Sequence, residues 1–327
     1  MSVLKRLAAP FRAYFNPRFE AVVQRLDDID VRLDRLEKPG GATEPALLER
    51  IDVGENDTRY GAAPFASFTS LAVDAAHFRE GPFREWFALV TDGGMEHHRK
   101  PWEYAFVLER ARQGGVLEPG RRALGFGVGR EPIPAVLASR GLDVLATDQA
   151  DEDADHWKDT NEHASDVAAL SRPDVVDDAT LAARVTFRAM DMNDLADDLG
   201  DFDLLWSSCA IEHLGSPAAG LEFVLRTAEL LRPGGVAVHT TEFELTARDE
   251  TADYGHCAVY RRADFEALAR RLVERGFEIH LNLYVSMATP VDRFVAVPPY
   301  PASDPAHLKL QIFDSVSTSY GLAIRRP

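Results

Sequence analysis

The short apolar run Arg122–Phe126 leads into Gly125-Phe126-Gly127-Val128-Gly129, and Glu131-Pro132-Ile133-Pro134-Ala135-Val136-Leu137 then opens a helix. Strand, glycine turn and helix, in that order, constrain the fold more than any other feature of the chain. Glycine admits the positive φ of such a turn and lets a ligand approach the backbone closely. Proline suits a first helical turn, where its missing N–H would go unpaired anyway. Further apolar runs at Val144–Ala146, Val185–Arg188, Leu204–Ser207, Val236–Thr240, Ile279–Tyr284 and Leu322–Ile324 alternate with helical stretches such as Ala218–Leu231 and Arg262–Arg275. This alternation predicts an α/β fold: a doubly wound, mostly parallel sheet with helices on both faces.

Spacing narrows what the loop can hold. Dinucleotide sites need G-x-G-x-x-G, with the third glycine at the pyrophosphate. Counted from Gly125 or Gly127, that position is Arg130 or Pro132, so a nicotinamide dinucleotide is disfavoured. A glycine turn alone leaves a purely structural role open, and two further features reduce that. Asp148 closes the run Leu142–Thr147, roughly 20 residues past the loop, where an acidic side chain takes ribose hydroxyls. Met190-Asp191-Met192-Asn193 follows the next run, so that Asp191 could accept from an adenine amino group with Met192 packed on the ring. All three features fall at carboxyl ends of successive strands, where open α/β sheets bind ligands.

Before residue 119 the chain reads differently. Phe19, Val22, Leu26, Ile29, Leu33 and Leu36 form an a/d seam of about two and a half heptads within a helix over 1–38. Lys38-Pro39-Gly40-Gly41 stops it. The seam is either a short coiled coil joining subunits into a homo-oligomer or a lone helix on its own domain. Residues 39–60 read as linker, 61–118 as a helical cap, and 119–327 as the main domain. The net charge of −17 argues against a nucleic-acid partner, which would need a basic face. No apolar run approaches the ~20 residues of a bilayer span, so no stable membrane insertion is expected. The two cysteines match no metal or redox spacing and, with no signal peptide visible, suit a cytoplasmic protein.

The segments ALGFGVGRE, VLATDQA, RAMDMNDL, DFDLLWSSCAIEHLGSP and ELLRPGGVAVHTTEF together resemble the class I S-adenosylmethionine-dependent methyltransferases over about residues 100–327. More narrowly, WSSCAIEHLGS and VAVHTTEF resemble a bacterial subgroup associated with glycan or polysaccharide biosynthesis. The resemblance implies a Rossmann-like, seven-stranded sheet whose last two strands form an antiparallel hairpin. It implies S-adenosyl-L-methionine as cofactor, with Gly125, Gly127 and Gly129 backing its methionine end, Asp148 at the ribose, Asp191 and Met192 at the adenine, and Phe126 and Ser208 also among the cofactor-binding residues. Relatives often carry an acid two residues before the first glycine, where this chain has Ala123. That shifts the amino group of the cofactor towards Glu131 or backbone carbonyls.

Methyl transfer from a sulfonium is an in-line displacement, so much of the catalysis is positioning of the acceptor. A hydroxyl acceptor also needs a base, because its proton leaves as the new bond forms. His213, just past the fourth expected strand, is the favoured base, with Glu212 orienting it or touching substrate. His256, in the loop Tyr254–Tyr260, is a second candidate over the acceptor. His239 reads as structural and Glu242 as facing the cleft. His97-His98-Arg99-Lys100 reads as a solvated face, and Trp102, Trp157 and Tyr260 as core more than sugar platforms. Asn161 and His163 follow the second strand. The run Asp151–Asp155 leaves Mg²⁺ undecided. The expected partner is a saccharide or other hydroxyl-bearing small molecule. A non-sugar metabolite methylated on nitrogen or oxygen, and a non-catalytic adenosyl-binding scaffold, are the alternatives.

Overall fold

The computed structural model describes residues 60–91, 96–150, 162–300 and 304–327. The helix expected over 1–38, all but the end of the linker, Trp157, Asn161 and the run Asp151–Asp155 lie outside them. Twelve strands follow in chain order: β1 Leu71–Ala72, β2 Arg122–Phe126, β3 Asp143–Asp148, β4 Val185–Ala189, β5 Phe202–Ser208, β6 Leu231–Glu244, β7 Ala252–Asp253, β8 Ala258–Val259, β9 Glu278–Ile279, β10 Val295–Ala296, β11 Lys309–Ile312 and β12 Ser315–Arg325. β7 and β8 pair with each other, and the rest form one ten-stranded sheet, eight strands in the order β10-β11-β12-β6-β5-β2-β3-β4 with β1 and β9 each paired to β12. β2 to β6 run parallel to their neighbours, and β12 returns antiparallel beside β6.

The core of the expected sheet is present; the count of seven is corrected to ten among the described residues. The difference lies on the outer edge of β12. That strand is 11 residues long, and an open edge of this length invites pairing. Three short strands share it: β11 opposite Ser315–Thr318, β1 opposite Tyr320 and Gly321, and β9 opposite Ile324 and Arg325. The expected strand Ile279–Tyr284 is therefore cut to β9, while the hairpin of the last two strands forms as β11 and β12. The Pro-Gly-Gly turn opens β6 as an irregularity, with the β5 register shifting between Phe202 and Leu204.

Helices α1 Gly81–Val90, α2 Arg99–Gln113, α3 Ile133–Ser139, α4 Asp178–Arg184, α5 Pro217–Ala228, α6 Arg262–Glu274 and α7 Pro290–Arg293 complete the layers. Ser216 caps α5 by accepting from the Ala219 amide, and Pro217 fills the first turn. On one sheet face Ala123, Leu204, Trp206, Val236 and Val238 pack with Trp86 of α1, Trp102 and Phe106 of α2, and Val136 of α3. Gly321 lets α2 settle closely, since a Cβ there would lie 2.3 Å from the Phe106 ring. On the other face Phe126 meets Phe223 of α5 edge-on at 5.0 Å, and Phe265 of α6 stacks on Tyr320 at 4.6 Å. Burying each such ring contributes about 1.5–3 kcal/mol, and together these fix which strand ends project into the site.

Candidate active site

The carboxyl ends of β2, β3 and β4 meet around the glycine loop. Gly127 and Gly129 hold φ of +56° and +49°, a region that side-chain-bearing residues enter at a cost. A Cβ on Gly127 would reach Met192 Sδ at 3.5 Å, and one on Gly129 would strike the Glu162 carbonyl at 2.5 Å. The Asp148 carboxylate ties this loop to β3. Its Oδ2 accepts from the amides of Gly129 (3.1 Å) and Ala164 (3.2 Å), and its Oδ1 from that of Gln149 (2.8 Å). His163 Nδ1 lies 3.5 Å from the same Oδ2. Burial raises the Asp148 pKa against the pull of these donors.

Glu131, two residues before α3, is buried. The Trp206 indole N–H donates to its Oε1 at 2.5 Å. Burial pushes its pKa up to about 8, although Trp206, Ser208 and Lys100 oppose the rise. The carboxyl is therefore mostly protonated at neutral pH. Trp206 itself lies across Gly125, where a Cβ would stand 2.2 Å from the indole. Gly125 is thus required for packing beneath the loop, and the Phe126 ring is buried in the opposite layer. Asp191 is exposed and accepts from the Asn193 amide, whereas Met192 is buried against the loop.

At the other end of the sheet edge, β6 and β12 carry a polar ladder in the interior. Ser315, Ser317 and Ser319 alternate along one face of β12 and donate to Glu244, Glu242 and Glu103 respectively. All three serines are fully buried. Arg99, in the first turn of α2, enters this ladder. Its guanidinium pairs with Glu242, lies 3.5 Å from Glu103 Oε1 and Ser319 Oγ, and 3.7 Å from Cys209 Sγ. Lys100 Nζ sits 3.3 Å from Glu103 Oε2. Burial works against the Arg99 charge, and Glu242 first, then Glu103, outweigh it, so its pKa rises well above the usual value. Burial and the neighbouring Glu242 raise Glu212 to about 7, with Thr241 Oγ1 donating to it at 3.0 Å.

Cys209, Glu212 and Glu242 bring potential ligand atoms within 4.8 Å of one another. The cation placed against two of them is the Arg99 guanidinium. The thiol of Cys209 is pushed well above its usual pKa, first by burial and then by Glu103. A protonated thiol among carboxylates is a poor donor set for Mg²⁺, a hard cation that takes oxygen ligands.

His213 ends a short turn, Ile211–His213, after β5. Its Nδ1 stands 2.6 Å from the His256 carbonyl oxygen. A carbonyl only accepts, so Nδ1 carries the proton and Nε2 is the basic nitrogen. Burial lowers the His213 pKa, against the hydrogen bond to His256, so the neutral imidazole prevails at neutral pH. The two histidine segments separated in sequence thus meet through one hydrogen bond. His256 contributes its backbone there, while its own ring is exposed and packs edge-on against Phe313 at 5.6 Å.

Other candidates fall inside the protein. His239 is fully buried, bonded to Ser207 at 2.8 Å, and driven by burial to a pKa of about 3. Trp102 and Tyr260 are core side chains. The solvated face expected for His97–Lys100 is corrected: His98 stacks on His307 at 4.5 Å, and Arg99 and Lys100 turn into the carboxylate ladder. The physical reason is that two of the partners of Arg99, Glu242 and Ser319, come from strands far along the chain, while Lys100 pairs with Glu103 in its own helix. Glu103 and the three serines escape a reading by motif. Their only local signals are the i,i+4 spacing of Arg99 and Glu103 and the period-two serines of Ser315-Val316-Ser317-Thr318-Ser319.

No protein-family model matches the chain, and no curated protein matches it. Among solved structures it is similar to a DhpI–SAM–HEP complex (15% identity, 76% of this chain and 94% of that chain, TM-score 0.41). It is also similar to the glycopeptide N-methyltransferase MtfA (15%, 69% and 90%, TM-score 0.40). A third is an S-adenosylmethionine-dependent methyltransferase from Clostridium acetobutylicum (11%, 69% and 91%, TM-score 0.39). At these values the likenesses decide nothing about the reaction, and the residues of the site must do so. Among the described residues, no helix is long and apolar enough to cross a membrane.

Proposed function

We propose that this chain is an S-adenosylmethionine-dependent methyltransferase that methylates a hydroxyl of a saccharide or related small molecule, with His213 as the base. The observation that carries this reading is the convergence of Gly127, Gly129, Asp148 and Met192 at the carboxyl ends of β2, β3 and β4, with an oriented neutral histidine after β5. The two glycines let the loop close tightly on its neighbours, since a Cβ at Gly129 would strike the Glu162 carbonyl and one at Gly127 would stand 3.0 Å from the Ala210 Cβ. Bound there, the cofactor would supply a methyl group already activated for displacement.

Each residue has a task in this reading. Gly127 and Gly129 back the methionine end, Met192 and Asp191 take the adenine, and Asp148 the ribose. Three backbone donors already use most of the roughly four acceptor positions of a carboxylate, so Asp148 has room for one hydroxyl rather than both. Glu131, buried beside the loop, meets the ammonium group and gives up its proton in doing so. His213 Nε2 takes the acceptor proton, while Nδ1 stays bonded to the His256 carbonyl.

The ladder favours a hydroxyl over an amine. Bare carboxylates would attract a cationic amine, but Glu103 and Glu242 are already paired with Lys100 and Arg99. Calorimetry with S-adenosylmethionine and with NAD, followed by transfer of a labelled methyl to a panel of sugars and amines, tests the proposal. Preference for S-adenosylmethionine and label on a sugar oxygen is expected. Tighter binding of NAD would sink it, label on nitrogen would move it to amines, and binding without turnover on any acceptor would leave an adenosyl-binding scaffold.

A further inference from the structure

The hairpin between β11 and β12 turns on two residues, Phe313 and Asp314, with Ile312 paired to Ser315. Phe313 is the first of the two and holds φ of +51°. Hairpin turns of this kind place glycine, asparagine or aspartate where φ is positive, because a larger side chain is strained there. Phe313 is also 44% exposed, one of two large apolar side chains so exposed among the described residues. A residue that is both strained and solvent-facing contributes little to the core, and strain of this kind concentrates at functional positions.

Its surroundings hold the ring in place. Tyr254 packs behind it at 4.5 Å, and His256 meets it edge-on at 5.6 Å. The Tyr254 hydroxyl donates to Asp314 Oδ1 at 2.5 Å, and Arg248 bonds Asp314 Oδ2 at 2.9 Å, so the hairpin tip is clamped to the 248–257 loop. The same loop supplies the His256 carbonyl that orients His213. One residue therefore links the exposed ring to the proposed base.

We infer that Phe313, backed by Tyr254 and edged by His256, is the platform on which the acceptor's ring lies, resting on the reading of the site as a methyltransferase. A flat exposed aromatic surface suits the C–H face of a neutral pyranose, which leaves its hydroxyls directed at polar neighbours.

The test uses the full chain with S-adenosylmethionine and neutral methyl pyranosides, read by saturation-transfer NMR from the aromatic protons and by labelled methyl transfer. Phe313→Gly relieves the backbone and removes the ring. Acceptor affinity is expected to fall roughly tenfold, the loss appearing in KM, with cofactor affinity and melting temperature maintained. Phe313→Tyr restores binding, and Phe313→Leu, apolar but not flat, does not. Unchanged acceptor affinity in Phe313→Gly or Phe313→Leu overturns the platform, as does a change in sedimentation in place of a change in acceptor binding, which would make the ring a self-contact. Absence of methyl transfer by the wild-type protein would count against the reaction alone, because the NMR signal reads the platform without turnover.

Discussion

The two halves of the site are built by different means. Around β2, β3 and β4 the backbone does most of the work: positive φ at Gly127 and Gly129, and three amides gathered on Asp148. Around β6 and β12 the work is done by side-chain charge and hydroxyls, with Arg99 inserted among Glu103, Glu242, Cys209 and Ser319. A backbone cradle can serve a ligand whose shape is constant. A charge ladder can be re-spaced one side chain at a time, which on the proposed function suits the half assigned to the acceptor. The contrast predicts that substitutions in the second half divide sharply between those that stop the reaction and those that loosen the fold.

His213→Ala should have the largest effect, a fall in kcat of about 10²–10⁴, because a positioned base is lost. Cofactor affinity measured by calorimetry should not move. The acid limb of the kcat profile should lie below the ordinary histidine value, as burial lowers the His213 pKa. A small effect on kcat would show that the acceptor half holds its base elsewhere, with Glu212 next in line at a pKa of about 7. Arg99→Ala comes second. It strands Glu242 without its cation, while Glu103 keeps Lys100, and breaking a buried pair from one side costs about 3 kcal/mol or more. Denaturant melts should show that loss, and Arg99→Met combined with Glu242→Leu should recover most of it. If the double substitution is as unstable as the single one, the ladder is held by its serines and not by its charges.

The same contrast decides what could be read from the chain alone. Gly127, Gly129, Asp148 and Met192 lie within short windows whose meaning is set by the strand-turn-helix order around them, so their convergence was expected. The strands followed for the same reason, since Arg122–Phe126 and Val185–Arg188 carry their apolar pattern locally. Arg99 belongs with Glu242 and Ser319, 143 and 220 residues away, and no local pattern joins them. A basic run beside histidines looks solvated until β6 brings carboxylates and the returning β12 brings hydroxyls over it. The extra edge strands were hidden for a related reason: two residues such as Leu71–Ala72 have no periodicity, and only the length of β12 calls for them. The His213–His256 contact stands between the cases, each residue visible and the bond between them not.

Glu131 tests the contrast from inside the cofactor half, because it is a charge device among backbone ones. Its carboxyl is raised to about 8, mainly by burial, so between the ordinary carboxylate value and about pH 8 the folded protein holds a proton that the unfolded chain has released. Stability from this group is therefore fully present at low pH and declines as pH rises through that window. Binding a cationic ammonium has the opposite demand, since it needs the carboxylate. S-adenosylmethionine affinity should rise with pH by up to about tenfold per unit, levelling off above about pH 8, with proton release visible as a buffer-dependent binding enthalpy. Glu131→Gln should flatten that slope while leaving the loop intact, because an amide can still accept from the Trp206 indole. A slope that survives in Glu131→Gln would assign the proton to another group at the loop. The cofactor half would then be a backbone cradle alone, and the contrast between the halves would sharpen.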